Sequence, residues 1–275
     1  MSKPIHIISL GAGVQSSCMA LMAAKGEITP MPTAAIFADT QDEPDEVYRW
    51  LDWLEKELPF PVYHVTNGKL SDDVLRMRVT KDGRAYTRTN LPFHTFSQKA
   101  GVGMVRQRGC TADFKIKPII KKQRELGKIK RGQKKVGIIS WIGISLDEIQ
   151  RMKDSRDRWA VNRWPLVDLG MKRHDCLRWM EKNGYQKPPR SACVYCPFHS
   201  DAEWSRLKKF DAVAFERAVA FERAVAGAKA KTDNINSTLW LHKSCKPLDT
   251  VDFSTEEERG QINMFNNECE GMCGV

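Results

Sequence analysis

Two groups of residues in this sequence have the types and spacing of chemistry: a set of cysteines, and a small-residue turn that could cradle a phosphate. Cys193-Val-Tyr-Cys196 is a C-x-x-C knuckle followed by Pro197, a spacing that lets two thiolates face one metal centre. Cys110 follows a basic stretch, Cys245 lies in an apolar-basic one, and Cys269-x-x-x-Cys273 closes the chain. Such a set suits zinc or a [4Fe–4S] cluster, and ligand softness alone does not choose between them. Cys18 and Cys176 occupy apolar helical positions and read as core residues.

The turn is Ser9-Leu10-Gly11-Ala12-Gly13-Val14-Gln15-Ser16-Ser17. Its small side chains let backbone amides approach an anion, and the helix that follows adds free N–H groups and a favourable dipole. Ser16 and Ser17 offer hydroxyls to the same ligand. The string is also a G-x-G-x-x-G pattern with Ser16 at the third glycine, so a dinucleotide-binding Rossmann turn competes with it. A tight strand-to-helix turn with no ligand is the plain alternative.

The elements that must position these residues alternate. Residues 4–10 read as a strand, 14–26 as a helix ended by Gly26, and 34–38 as a strand. The polar turn Asp39-Thr40-Gln41-Asp42-Glu43-Pro44 comes next, then a helix to about Leu58 and a strand at 62–65. That order predicts a parallel sheet in a doubly wound α/β fold. Periodicity fades from Asn67 to about Gly109, as in a substrate-covering loop. A basic helix follows at 112–126, then an apolar strand at 136–144 of the doubly buried kind. Beyond Trp164 the pattern is helical and loop-rich. The expected organisation is a nucleotide-binding domain over 1–168 and a smaller cysteine-rich helical lobe over 169–275. Ala-Phe-Glu-Arg-Ala-Val occurs twice in tandem at 214–225, and six residues are too few for a repeat architecture, so it reads as a lengthened surface helix.

The 275 residues are 41% hydrophobic and 28% charged, ordinary for a folded domain. No run is long enough for a membrane span, and the first residues lack a signal-peptide pattern. The expected location is the cytoplasm, without a membrane partner, where the eight cysteines would be reduced and open to metal or thiol chemistry. The net charge of +10 favours phosphate-bearing partners, nucleic acid among them. The cations Arg106, Arg108, Lys115, Lys117, Lys121 and Lys122 surround Cys110, and Trp141, Trp159 and Trp164 are candidates for stacking on bases. A homodimer is compatible with all of this.

Four ordered segments together resemble the ATP-pyrophosphatase (PP-loop) superfamily, and within it proteins similar to phosphoadenosine phosphosulfate (PAPS) reductases. They are Gly11–Ser16; Asp39, Thr40 and Glu43; Arg108-Gly109-Cys110-Thr111 with Lys115, Lys117 and Pro118; and Gly143-Ile144-Ser145-x-Asp147-Glu148 with Arg151. The match spans about residues 5–168. It departs from the family pattern at Gly11, at Gln15 where an Asp is usual, and at Ser145 where an Arg is usual.

The resemblance implies an adenine-nucleotide site, for ATP or a PAPS-type nucleotide. Ser9, Gly11, Gly13, Gln15, Ser16, Ser17, Asp39, Thr40, Gly143 and Ile144 would build it. Asp39 and Asp147 would help place Mg2+, and Arg151 would complete the closing segment. It also implies a [4Fe–4S] cluster, with zinc as the alternative, held by Cys110, Cys193, Cys196 and a C-terminal cysteine such as Cys273. The tail Glu268-Cys269-Glu270-Gly271 resembles the Glu-Cys-Gly tail of sulfonucleotide reductases, which makes Cys269 a candidate nucleophile, with cluster ligation as its rival role. The expected activity is sulfur transfer to nucleic acid or a nucleobase with ATP activation, or sulfonucleotide reduction. A non-catalytic binding module with a structural zinc knuckle is the alternative.

Overall fold

The computed structural model describes residues 3–232 and 237–254. Its centre is a five-stranded, all-parallel sheet in the order β3-β2-β1-β8-β9. The strands are β1 (Ile5–Leu10), β2 (Ala34–Asp39), β3 (Val62–Thr66), β8 (Ile138–Ile142) and β9 (Ala160–Arg163). The chain moves outward from β1 to β3, then returns to lay β8 on the other side of β1. Strand order therefore reverses between β1 and β8, and in open parallel sheets a crevice for ligands opens beyond the strand ends at such a point.

Alternation along the strands fills two layers, as a sheet covered on both faces requires. Ile8, Leu10, Ala35 and Phe37 join one core with α1 (Val14–Ala24) and α2 (Asp45–Glu57). Ile7, Ile36 and Ile138 face the other layer, where Ile119 and Ile120 pack against them. A third cluster combines Leu70, Val74, Leu91, Phe93 and Phe114 with residues from Cys193 to Phe253.

The stretch from 67 to 109 has more order than its sequence suggests. It holds α3 (Leu70–Leu75) and two antiparallel hairpins, β4 (Arg78–Val79) with β5 (Ala85–Tyr86) and β6 (His94–Ser97) with β7 (Gly101–Met104). The basic helix runs continuously through a π-helical segment: α4 (Gly109–Thr111), the π segment (Ala112–Ile116) and α5 (Lys117–Leu126). After β9 come α6 (Pro165–Asp168), α7 (Arg173–Lys182), α8 (Asp201–Phe210) and α9 (Ala212–Lys229). Helix α7 sends Cys176 and Met180 into the same core as α1, while residues 70–114 pack with the C-terminal helices. The two packing units thus interleave along the chain.

The duplicated hexapeptide runs as one continuous helix in α9. Both phenylalanines, Phe215 and Phe221, are buried, so this helix is packed rather than superficial. The glutamates differ. Glu216 is exposed, whereas Glu222 is buried and accepts from the amides of Leu241 (2.8 Å) and Leu248 (2.7 Å). Among the described residues no helix is long and apolar enough to cross a membrane.

Candidate functional site

The carboxyl ends of β1 and β8 meet at the N-terminus of α1. Ser9 lies in β1 between Ile36 and Ile142 in register. Ala12 turns the chain with a φ of 57° and is fully buried, and Gly13 is the N-cap of α1 without any side-chain cap. The first-turn amides are therefore left to partners outside the helix. A Cβ on Gly13 would meet nothing within 4 Å, so space lies open in front of those amides. Gly143 does the opposite: a Cβ there would stand 2.9 Å from the Cα and the amide N of Ser16. Glycine is required at this position for β8 to approach the helix start. Ile144, just beyond, is buried.

The serine hydroxyls, however, turn inward. Ser16 Oγ accepts from the Gly11 amide (3.2 Å) and donates to the Gly13 carbonyl (3.3 Å), while Ser17 Oγ accepts from the Trp50 indole (3.0 Å). Both stiffen the turn, so an anion placed there would meet backbone amides rather than these hydroxyls. Gln15 points toward the turn after β8. Its amide donates to Ser145 Oγ (3.4 Å) and Glu148 Oε2 (3.3 Å), and its carbonyl accepts from Arg173 (3.4 Å). An aspartate at 15 would face the buried Glu148 with like charge, so a neutral side chain suits this position.

Asp147 and Arg151 are also engaged. Asp147 accepts from the Arg173 amide (3.1 Å) at the start of α7, and Arg151 pairs with Glu148. Asp39 accepts from the Gln41 amide (2.7 Å) and the Tyr48 hydroxyl (2.9 Å). Burial, with Asp39 beside it, raises the Tyr48 phenol above its ordinary value and keeps it a donor.

The polar turn after β2 reaches the cysteines. Thr40, fully buried, has its Oγ1 3.2 Å from Cys193 Sγ. The Asp42 carbonyl accepts from the Val194 amide (2.9 Å). The Asp42 carboxylate accepts from the Ser71 amide (2.8 Å), the Ser71 hydroxyl (3.0 Å) and the Tyr195 hydroxyl. Burial holds the Tyr195 phenol protonated, as that bond requires. Glu43 is buried beside Ser191 (3.5 Å) and Lys115 (3.6 Å). The C-x-x-C knuckle is thus bolted to the end of β2 through buried polar contacts.

Cys110, Cys193 and Cys196 line one small cavity of about 20 Å³. Arg108 and Lys115 share its wall, and the Arg108 guanidinium lies 5.5 Å from the Phe198 ring. Cys110 arrives on α4, immediately before the π-helical turn, a feature frequent at functional sites. The three cysteines expected to ligate are therefore brought to one wall. Among the described residues no group of three His, Cys, Asp or Glu side chains is already gathered around a metal-sized point. Thiols remain the right donors for zinc or an iron–sulfur cluster. Cys269 and Cys273 lie outside the described residues.

No family profile matches the chain. A search of curated proteins found no match either.

Several expectations resolve differently. Trp141 and Trp159 are buried in the cores and present no face to a base. Lys117 pairs with Asp113, and Lys122 pairs with Glu125 (2.7 Å) while lying over the Tyr63 ring. Cys18 and Cys176, in contrast, are core residues as expected, fully buried where α1 and α7 pack together. His199 carries structure that its spacing could have announced, since it completes Cys193-x-x-Cys196-x-x-His199. Its amide donates to the Cys196 carbonyl and its Nε2 contacts the Cys193 carbonyl, both at 3.0 Å. Burial, with the Arg190 charge, lowers its pKa to about 3, so the ring is neutral and clasps the knuckle.

Proposed function

We propose that this chain is an adenine-nucleotide enzyme of sulfur chemistry, similar to the PAPS reductases. It would transfer sulfur to a nucleic acid or nucleobase with ATP activation, or reduce a sulfonucleotide. The observation that carries this reading is the contact between Thr40 at the end of β2 and Cys193 in the knuckle. It joins a crevice suited to phosphates to a cavity lined by three cysteines, so a nucleotide and a sulfur-handling centre would share one edge of the sheet.

In this reading the amides of residues 13–16 and the gap above Gly13 receive the phosphates. Gly143 keeps β8 close enough to close the crevice. Cys110, Cys193 and Cys196 would hold a [4Fe–4S] cluster or zinc, with Cys273 as the proposed fourth ligand. A cluster would supply redox or sulfur-handling chemistry, whereas zinc would brace the lobe. Arg108 and Lys115 bring positive charge to the cavity wall, where an anionic ligand would meet it.

A second reading, a nucleotide-binding module with a structural zinc knuckle, draws on the inward-turned hydroxyls of Ser16 and Ser17 and on Gln15. Metal analysis separates the two. Anaerobic protein containing iron and acid-labile sulfide in near-equal amounts, lost in Cys193→Ser, together with Mg2+-dependent nucleotide turnover, supports the enzyme. Stoichiometric zinc with nucleotide affinity but no turnover sinks it in favour of the module.

A further inference from the structure

The chain's positive charge is concentrated. Between residues 76 and 108 there are eight Lys or Arg against one Asp, a net +7 of the whole chain's +10. Arg78 pairs with Asp73, and Arg84 pairs with Asp82. Arg76, Lys81, Arg88, Lys99 and Arg106 are exposed and make no ion pair among the described residues. This segment carries the two hairpins, β4–β5 and β6–β7.

The second hairpin is planted on the cysteine cavity. Leu91 and Pro92, which lead into β6, line it, and so do Arg108 and Cys110, which follow β7. His94 Nε2 contacts the Pro197 carbonyl (3.1 Å) and fixes the foot of the ribbon to the knuckle. Phe96 and Val102 are direct cross-strand partners, two residues along from the His94–Met104 pair, so all four share one face of the ribbon. Phe96 is 55% exposed and Val102 56%. An exposed aromatic ring on a ribbon that carries Lys99, leads on to Arg106 and is rooted at a thiol-lined cavity suits a partner that is both anionic and flat-faced.

We propose that the β6–β7 hairpin is a docking arm for single-stranded nucleic acid, with Phe96 stacking on an unpaired base while Lys99 and Arg106 contact phosphates. Unpaired bases offer π-faces to an aromatic platform, and the backbone supplies the charge that the arm lacks. A duplex would satisfy the cations but leave Phe96 unused, because its bases stay in their stack. The assignment deepens the sulfur-transfer reading by naming the substrate class, and it rests on that reading only for what happens after docking.

The test is fluorescence anisotropy with the full-length protein and a labelled single-stranded oligonucleotide of about 20 nucleotides, longer than the largest footprint of one stacking platform. A duplex of equal length and phosphatidylserine vesicles are the comparison probes. Single strands should bind more tightly than duplex, and Phe96→Ala should weaken them about tenfold. Lys99→Glu combined with Arg106→Glu should flatten the salt dependence by about 0.7 for each cation removed. These side chains are exposed, so a circular dichroism spectrum matching the parent verifies folding. Oligonucleotide binding indifferent to these variants overturns the arm, as does equal affinity for duplex with no effect of Phe96→Ala, or binding to vesicles alone. Metal content and adenine-nucleotide affinity, measured on the same preparations, report on the functional reading separately. Their absence alongside arm-dependent oligonucleotide binding removes the sulfur chemistry and leaves the arm standing.

Discussion

The crevice above α1 and the cavity at the cysteines sit at neighbouring strand ends yet are built on opposite plans. At the crevice the side chains serve the protein itself: Ser16 and Ser17 brace the turn, and Gln15 ties it to Glu148 and Arg173. What faces outward is backbone. At the cavity side-chain thiols line the wall, and the braces lie behind them in the buried carboxylate of Asp42. Substitutions should therefore harm the two places by different routes: crowding at the first, loss of a polar anchor at the second.

The largest expected effect is that of Asp42→Ala. It strands two hydroxyls and one amide in a buried setting, and should cost about 3 kcal/mol, with metal content falling while adenine-nucleotide affinity persists in the folded fraction. Denaturant titration and metal analysis check it, and loss of nucleotide affinity with metal intact would break the contrast. Gly143→Val comes next. The added carbon atoms collide with the Ser16 backbone, so stability should fall by about 1–3 kcal/mol and nucleotide affinity should drop, with metal content unchanged; calorimetric titration beside metal analysis reads both. Smallest is Ser17→Ala, which leaves the Trp50 indole without its acceptor and should cost about 1 kcal/mol. Nucleotide affinity should stay at the parent value, and a large loss would mean that the hydroxyl serves the ligand after all.

The same contrast governs what could be read from residues alone. The sheet was legible because β1, β2, β3 and β8 are apolar runs punctuated by turn-forming residues, with a glycine-rich turn opening α1. β9 was not, because Ala160-Val-Asn-Arg is short and half polar and takes its strand character from β8 alongside it. The hairpins between 78 and 104 were hidden for a related reason: glycines, threonines and arginines give no apolar alternation when one face of a ribbon is solvent. The three cavity cysteines were nominated by spacing and by the family resemblance. Asp42 was not, since an acid in a polar turn looks solvated until Tyr195 and Ser71, far along the chain, are folded onto it. Ser17 shows the reverse limit. Its hydroxyl stood in the right motif but was claimed by Trp50, which lies in another helix.

The unequal fates of the two glutamates in α9 bear on the order in which the C-terminal unit assembles. Leu241 lies in irregular chain and Leu248 opens a short 3-10 turn seven positions later, and both amides end on the one Glu222 carboxylate. Neither has that acceptor until α9 has formed and turned its second hexapeptide inward. The helix thus acts as a template on which the later segment is laid, and the segment's lifetime is tied to it. In hydrogen exchange these two amides should open together with the helix, as though they were part of its own ladder.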